Sequence, residues 1–530
     1  GVLILVLGIT LVANIIFSIL NGQMKQIGIM QVIGATTNQV AFIYLLKVFF
    51  LGAIATIIGI PLSIYGARAM TSHSNTLLNF DSSQQDISIS IICIQFFIGI
   101  GIPLISALIP VLIGSKISIR EAIQSYGTSV HFGLNHFDNF LSKLTGFPTQ
   151  IVLAIRNSFR KKGRLILTIF TLSIGGAIVI SIISLYSSIE KTKINSLQYS
   201  NYDIQIVLNK PHSLDELEKI IKENVKDVKK IEGWNGTSTF RNRKDGSKSQ
   251  PMRILEPTGH TSLIRPVITE GKWLEAEEKN TIVLDTYWLR KEKDIKIGDQ
   301  ITLEIYGKPQ TYKVVGFSRK VAGEVISYVS EQSLRSEDRT ANKINVINIV
   351  LKTSNRGSQA DTIELIKEKF KLKGISILSY ELREDLKEKL EIRFSIVLIF
   401  LYIMSFLLVI VSSISLTGMM GLNVLERTRE IGILRCIGAS DTTIQFIIMF
   451  EGVTVGFISW VVSVLWSMPF SHQLSTEVGM ALFQAPLDYV FSYTGIWIWL
   501  GLSTIFSIVW SYIPAWNASR LTIKDVLNYE

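Results

Sequence analysis

"REIGILRCIGAS" at residues 429–440 repeats a phrase from near the start of the chain, "KQIGIMQVIGAT" at residues 25–36. In the later copy Ile431, Leu434 and Ile437 recur every third residue, which makes one apolar stripe along a short helix, and Gly438 follows as a helix terminator. The earlier copy sets Ile27, Met30, Ile33 and Gly34 in the same places, and each phrase holds a further glycine, Gly28 or Gly432. A cation and a polar residue lead each one: Lys25 and Gln26, then Arg429 and Glu430. Both phrases lie between long apolar runs. A short amphipathic helix in that position either rests on lipid headgroups or seats an apolar knob in a groove on a soluble partner. Its duplication with spacing retained favours the partner.

The apolar runs themselves set the fold class. With 48% hydrophobic and 18% charged residues and a mean hydropathy of +0.36, the chain is greasier than a soluble globular protein. Stretches at about 1–21, 40–66, 89–113, 165–187, 394–422, 442–466 and 491–513 are each long enough for the roughly 20 helical residues that cross a bilayer core. The first begins at Gly1 without an initiator Met or a charged lead, so it reads as a truncated span and not a signal peptide. A net charge of +10 could suit nucleic acid, but the cations sit where loops flanking membrane helices require them. Residues 116–164 carry Lys116, Arg120, Lys143, Arg156, Arg160, Lys161, Lys162 and Arg164, whereas 468–490 has no Lys or Arg. The lipid bilayer is therefore the expected partner and nucleic acid is not. The loops at 22–39, 116–164 and 423–441, with the C-terminus, fall on the cytoplasmic side.

The repeat extends beyond the opening phrase. "IPVLIGSKISIREAI" at 109–123 matches "IPAWNASRLTIKDVL" at 513–527, and both matches share a shift of 404 residues. Two matches at one offset indicate parallel repeats, each a three-span unit with a cytoplasmic phrase after its first span and a Pro-bearing exit after its third. The expected organisation is a first unit at 1–127, a basic cytoplasmic linker at 128–163, a span and stalk at 164–189, an outer domain at 190–392 and a second unit at 393–530. The outer segment alternates as strand at "YDIQIVL" from Tyr202, has a helical period at "LDELEKIIKENV" from Leu214, and repeats that pattern from Ile344 to Leu378. Two such βαβ units predict a split α+β layer. Between them "TIVLD" at Thr281, "ITLEIYGK" at Ile301 and "TYKVVGF" at Thr311 predict a β-rich insertion. "SSIEKTKINSLQ" and "ELREDLKEKLEIRF" run without Pro or Gly into adjacent spans and predict stiff helical stalks. The fold class is thus an α-helical polytopic membrane protein, about seven spans here, with one large α+β extracytoplasmic domain.

Catalytic chemistry finds little support. There is no phosphate loop, no H-E-x-x-H, no C-x-x-C and no G-x-S-x-G. The six His are scattered without metal-ligand spacing, and the two cysteines, Cys93 and Cys436, leave none for a disulfide in the outer segment. No metal site and no enzyme activity is expected of this chain. Two charges fall inside spans at equivalent positions, Lys47 and Glu451. An unpaired charge at that depth is costly, so opposite signs at matched depth suggest an ion pair across the two repeats; the alternative is that Lys47 snorkels to the cytoplasmic headgroups while Glu451 is separately hydrogen-bonded or protonated.

The phrase "REIGILRCIGAS" resembles the coupling segment of FtsX-like ABC transporter permeases of the MacB and LolC type, and "IPAWNASRLTIKDVL" resembles their last-span exit. "ITEGKWLEAEEKNTIVLD", followed by "IGDQITL" and "YKVVGF", is similar to the outer domain of the same group. The resemblance covers nearly all the chain and points to a double-length form with two permease units, lacking its first span and any first outer domain. It implies that both coupling helices contact a cytoplasmic ABC ATPase dimer, which holds ATP and Mg; no cofactor is implied in this chain. The coupling residues expected are Lys25, Gln26, Ile27, Gly28, Met30, Ile33 and Gly34 in the first copy and Arg429, Glu430, Ile431, Gly432, Leu434, Ile437 and Gly438 in the second, with Ile27, Met30, Ile431 and Leu434 as the direct contacts. It also implies a bacterial cytoplasmic membrane and export, extraction or release of a substrate at the outer face. The alternative is a mechanotransmission complex that activates an extracytoplasmic cell-wall hydrolase or signalling partner, which would add an outer lipoprotein, hydrolase or accessory protein. A secondary transporter would place several ionisable groups at mid-membrane, and this chain has few. Where the second copy has Glu430 the first has Gln26, so only the second can make a charge-assisted bond to a basic partner residue.

Overall fold

In lipid, backbone N–H and C=O groups have only one another to bond, so long apolar runs are held as helices. The structure, a computed structural model, describes residues 2–78, 88–115, 148–160, 162–259, 261–275, 277–319, 325–331, 333–334 and 343–520. Most of the expected linker at 128–163, with Lys116, Arg120, Lys143 and Lys161, lies outside these residues, as do the ends of both exit matches. The chain divides into two compact units: Gly1–Ser184 with Leu398–His472 and Phe491–Glu530, and Leu185–Val397 with Gln473–Val490.

The first repeat supplies α1 (Val2–Gly22), α2 (Met24–Val32), α3 (Thr37–Leu78) and α4 (Ile89–Ser115); α5 (Thr149–Ser158) and α6 (Lys162–Tyr199) follow. Their common core is Ile16 and Leu20 of α1, Ile27 of α2, Val40, Tyr44 and Val48 of α3, and Ala107 and Val111 of α4. α6 runs from the membrane bundle through the predicted stalk without a break.

The second unit is built on a split layer. β1 (Ile204–Ser213), α7 (Leu214–Asn224) and β2 (Val228–Thr239) form one βαβ, and β10 (Lys343–Leu351), α9 (Arg356–Leu372) and β11 (Ile377–Leu382) form the other. They interleave in the order β11-β1-β10-β2, all antiparallel. Alternate residues Ile204, Ile206 and Leu208 face Leu217, Ile220, Ile363, Ile366 and Phe370 of the two helices. The insertion contributes β3 (Arg241–Asn242), β4 (Met252–Glu256), β5 (Val267–Gly271), β6 (Thr281–Asp285), α8 (Thr286–Lys291), β7 (Gln300–Ile305), β8 (Lys308–Arg319) and β9 (Ile326–Val329). It is not a separate sheet. β2 pairs with β10 through Trp234 and with β4 from Asn235 onward, so one long strand serves both parts. β7 and β8 meet at Tyr306 and Gly307, both at positive φ (47° and 78°), the geometry of a two-residue type I′ turn.

The second repeat adds α10 (Arg383–Glu426), α11 (Thr428–Cys436), α12 (Asp441–Phe483) and α13 (Tyr493–Ser519). Among the described residues six helices, α3, α4, α6, α10, α12 and α13, are long and apolar enough to cross a membrane. The remaining expected span is α1, several of whose side chains fall outside the described set. One expectation is corrected. Pro110 and Pro514 lie inside α4 and α13 and do not mark the exits; the helices continue to Ser115 and Ser519, since neighbouring helices can re-satisfy the backbone groups that a membrane proline frees.

Small residues let these helices approach closely. Ser459, Ser463, Ser467 and Ser471 recur every fourth residue on α12 and are buried, and each hydroxyl donates to a carbonyl of its own helix at 2.7–3.0 Å. A Cβ on Gly176 of α6 would lie 2.0 Å from the Trp499 indole nitrogen and 2.4 Å from the Ser463 hydroxyl. Gly452 and Gly456 face Ser511 and Ser507 of α13 in the same way. Gly176→Ala should therefore cost about 1–3 kcal/mol by overpacking. Gly418→Ala, where nothing lies within 4 Å of the new methyl, should cost nothing, and thermal unfolding of the two variants in detergent compares them.

Candidate functional site

The repeated phrase encodes a helix, its stop and the start of the next helix. α2 and α11 each have nine residues. Gly34 and Gly438 then adopt φ of +103° and +101°, a left-handed conformation that disfavours side chains with a Cβ. In the first copy the Gly34 N–H donates to the Gln31 carbonyl at 3.1 Å and the Ala35 N–H to Met30 at 2.9 Å; in the second, Gly438 donates to Arg435 at 3.0 Å and Ala439 to Leu434 at 2.9 Å. This is the paired bonding of a Schellman stop. The next residue begins the following span: Thr36 exchanges bonds with Gln39, and the Ser440 hydroxyl accepts from the Thr443 N–H at 3.3 Å.

Both helices are also tied to the end of the third span of their own repeat. Gln31 Nε2 donates to the Ser115 carbonyl at 3.0 Å, and Arg435, at the equivalent position, donates to the Ser519 carbonyl and pairs with Asp441. The tether fixes which face looks out. Ile27 and Ile431 are buried, Gly28 and Gly432 are buried beside them, and Met30 and Leu434 are half-buried; Ile431 packs against Ile444, Ile448, Ala515 and Ala518. The outward face holds Ile29, Val32 and Ile33 in one copy and Ile433, Cys436 and Ile437 in the other, with Ile33 80% and Ile437 77% exposed. Ile27, Met30, Ile431 and Leu434 thus face their own bundle, a correction to the expectation that they meet the partner, whereas Ile33 and Ile437 of the same stripe stay exposed. Gln26 and Arg429 are exposed, and the Lys25 side chain lies outside the described set.

Among the described residues a chain of charges surrounds the second copy alone. Glu451 of α12, 1% exposed, accepts from Asn423 Nδ2 at 2.9 Å and Arg427 Nη1 at 3.3 Å. Arg427 Nε continues to Glu430 at 3.0 Å, and Arg160 pairs with the other Glu430 oxygen. Arg164 at the start of α6 donates to Asn423 at 2.9 Å and to Glu426 at 2.7 Å. Burial alone would raise the Glu430 pKa, but hydrogen bonds from Arg160 and Arg427 outweigh it and hold the carboxyl below its ordinary value. The stabilisation is present above the unfolded carboxyl pKa and is lost as pH falls through the depressed folded value. Glu430 is therefore engaged within the chain, which corrects its expected role as a free acceptor for a basic partner residue. The first copy has Ile19, Gly22, Gln23, Gln26 and Lys47 where the second has Asn423, Glu426, Arg427, Glu430 and Glu451.

Of the two readings of Lys47 and Glu451, the pair across the repeats is not formed. Lys47 is exposed on α3, no ion pair joins it to a carboxylate among the described residues, and Glu451 takes its partners from its own repeat. Sequence reasoning missed Asn423, Glu426, Arg427, Arg160 and Arg164 as members of one site. The signal is the cluster "NVLERTRE" at 423–430 beside the cation run near 160.

Residues 1–119 and 402–523 match the family described as FtsX-like permease C-terminal, and residues 165–369 match the MacB-like periplasmic core domain. The chain is an FtsX-like permease of the MacB type. Among its relatives is an uncharacterised ABC transporter permease of Methanocaldococcus jannaschii, 22% identical over 406 residues, 72% of this chain and 98% of that one. A macrolide export ATP-binding/permease protein MacB of Syntrophobacter fumaroxidans is 32% identical over 121 residues, 23% of this chain but 16% of the relative's length. The crystal structure of the periplasmic region of MacB from Actinobacillus actinomycetemcomitans aligns with 37% of the permease and 94% of that chain, at 10% identity and a TM-score of 0.26. The permease is a multi-pass membrane protein with an α+β outer domain.

Removing the Glu451 carboxylate should leave Arg427 Nη1 and Asn423 Nδ2 without this acceptor while Arg427 Nε keeps Glu430, so Glu451→Leu is expected to cost about 1–3 kcal/mol in thermal unfolding of the detergent-solubilised permease. Lys47→Leu should be near neutral. The exchange of Lys47→Glu with Glu451→Lys should be no better than Glu451→Lys alone in membrane yield.

Proposed function

We propose that the permease is the membrane subunit of an ABC transporter, in which a separate cytoplasmic ATPase dimer docks on α2 and α11 and drives export, extraction or release of a substrate at the outer face. ATP and Mg belong to that partner. The membrane is the bacterial cytoplasmic membrane. The observation that carries the reading is the pair of exposed apolar tips, Ile29 with Ile33 and Ile433 with Ile437, each held by the same Schellman stop and the same tether to a third span. A single exposed isoleucine is ordinary on a protein surface. Two equivalent ones on short, rigidly capped helices are suited to seating in two equivalent grooves of a dimer.

Burying each isoleucine in such a groove contributes about 1.5–3 kcal/mol, and an aspartate there would have to be desolvated unpaired. Mild-detergent purification from the native host is expected to bring an ATPase with the wild-type permease. Ile33→Asp together with Ile437→Asp should abolish that co-purification without lowering permease yield; if the ATPase still co-purifies, the docking reading fails. Ile431→Asp, by contrast, should lower permease yield itself, because that side chain is buried in the bundle.

A further inference from the structure

The last outer loop, residues 484–492, is not a simple link between two spans. α12 ends at Phe483, Gln484 takes φ +53°, and the chain folds back so closely that a Cβ on Gly479 would meet the Ala485 carbonyl and the Leu487 nitrogen, each at 2.6 Å. It then runs extended along α6. The Asp488 N–H donates to the Thr192 hydroxyl at 2.8 Å and the Val490 N–H to the Ser188 hydroxyl at 2.9 Å. Further along the same helix the Ser492 N–H donates to Ser184 at 3.1 Å. The match has a geometric basis: two residues of extended chain rise about 6.6 Å and four residues of α-helix about 6 Å, so alternate amides meet hydroxyls spaced four residues apart.

The Asp488 side chain makes a further connection. One carboxylate oxygen accepts from Asn195 Nδ2 of the stalk at 2.9 Å, and the other pairs with Arg319, the last residue of β8. Both partners of that ion pair are largely buried, with side chains 15% and 21% exposed, so solvent screens it less than a surface pair. Two more contacts converge on the same segment. Arg290 of α8 lies 3.2 Å from the Met480 sulfur, and the Phe483 ring packs, tilted by 50°, at 5.2 Å from that of Phe394 on the other stalk. The end of α12 thus meets α10, its loop meets α6, and Asp488 meets the β-rich part of the outer domain.

We propose that Asp488 is a positioning residue that relays movement of α12 to β8 of the outer domain, through Arg319, in parallel with the two stalk helices. The inference rests on the coupling reading given above. Because Asp488 follows α12 by five residues of chain pinned on both sides, a displacement of that helix end is passed to the carboxylate, and the paired guanidinium carries it to the strand. The stalk helices reach the split layer, at β1 and β11; the Asp488 contact reaches the inserted strands directly.

The test is hydrogen exchange on the full permease purified with its co-purifying ATPase, with and without ATP and Mg. In the wild type, nucleotide should alter protection at residues 315–319 and at 488–490 together. In Asp488→Asn, and independently in Arg319→Gln, basal ATP hydrolysis and co-purification should be unchanged. Exchange at the 488–490 amides should be about tenfold faster, as expected on losing a charge-assisted bond, and the nucleotide response at 315–319 should be lost. The reversed pair, Asp488→Arg with Arg319→Asp, should restore that response, which a merely structural loss would not. If the single variants keep a wild-type response at 315–319, the relay is overturned and the coupling reading stands. If the wild type shows no nucleotide response anywhere in the outer domain, the coupling reading falls and the relay falls with it.

Discussion

A carboxylate enclosed among membrane helices must find its counter-charge and hydrogen bonds within reach of its own side chain, because neither water nor lipid will supply them. Glu451 imposes that requirement on the second half of the permease. Asn423 and Arg427 answer it from the end of α10 and the turn into α11, Arg427 in turn holds Glu430, and Arg160 and Arg164 complete the chain from the entry to α6. Four elements separated by nearly 300 residues are brought to one place by one acidic group. The network also explains the short reach of α11: a helix of nine residues is marginal by itself in water, and here its first turn is fixed by ion pairs and its last by a tether to α13.

The first half solves the same geometric problem without charge. Gln23 accepts from the Tyr44 hydroxyl at 3.0 Å, Gln31 takes the place of Arg435, and Lys47 is left exposed on α3 instead of entering a network. Neutral hydrogen bonds are weaker than charge-assisted ones by about a factor of two, so two helices with matching backbones are held with different firmness. The duplicated ancestry shows in the caps and glycines, and the divergence shows in the side chains around them.

Much of this architecture was legible in the sequence because it depends on period and punctuation. The spans follow from uninterrupted apolar length, the split layer from two strand–helix–strand patterns, and the stop at Gly34 and Gly438 from glycine placement. What could not be read was orientation. α2 and α11 carry isoleucines on both sides, at 27 and 29 and at 431 and 433, so no period says which side is buried; the tethers from Gln31 and Arg435 decide it. Equal position in two repeats likewise fixes the depth of Lys47 and Glu451 but not the direction each faces. The continuity of β2 was hidden for a related reason, since one long strand reads the same whether it serves one sheet neighbour or two in succession.

That shared strand has a consequence for how the outer domain assembles. β1 is made early, yet both its neighbours come from far downstream, with Ile204 paired to Ile349 on one side and Leu382 on the other. Closing so long a loop is entropically slow. The insertion between them builds its core from Met252 to Leu334, contacts that are local by comparison, and a chain emerging from the ribosome can condense this part first. Once formed it carries the second half of β2 in its sheet and brings the two ends of the intervening chain together, so the strands that follow have a short distance to search. The insertion acts as a folding template for the layer it interrupts.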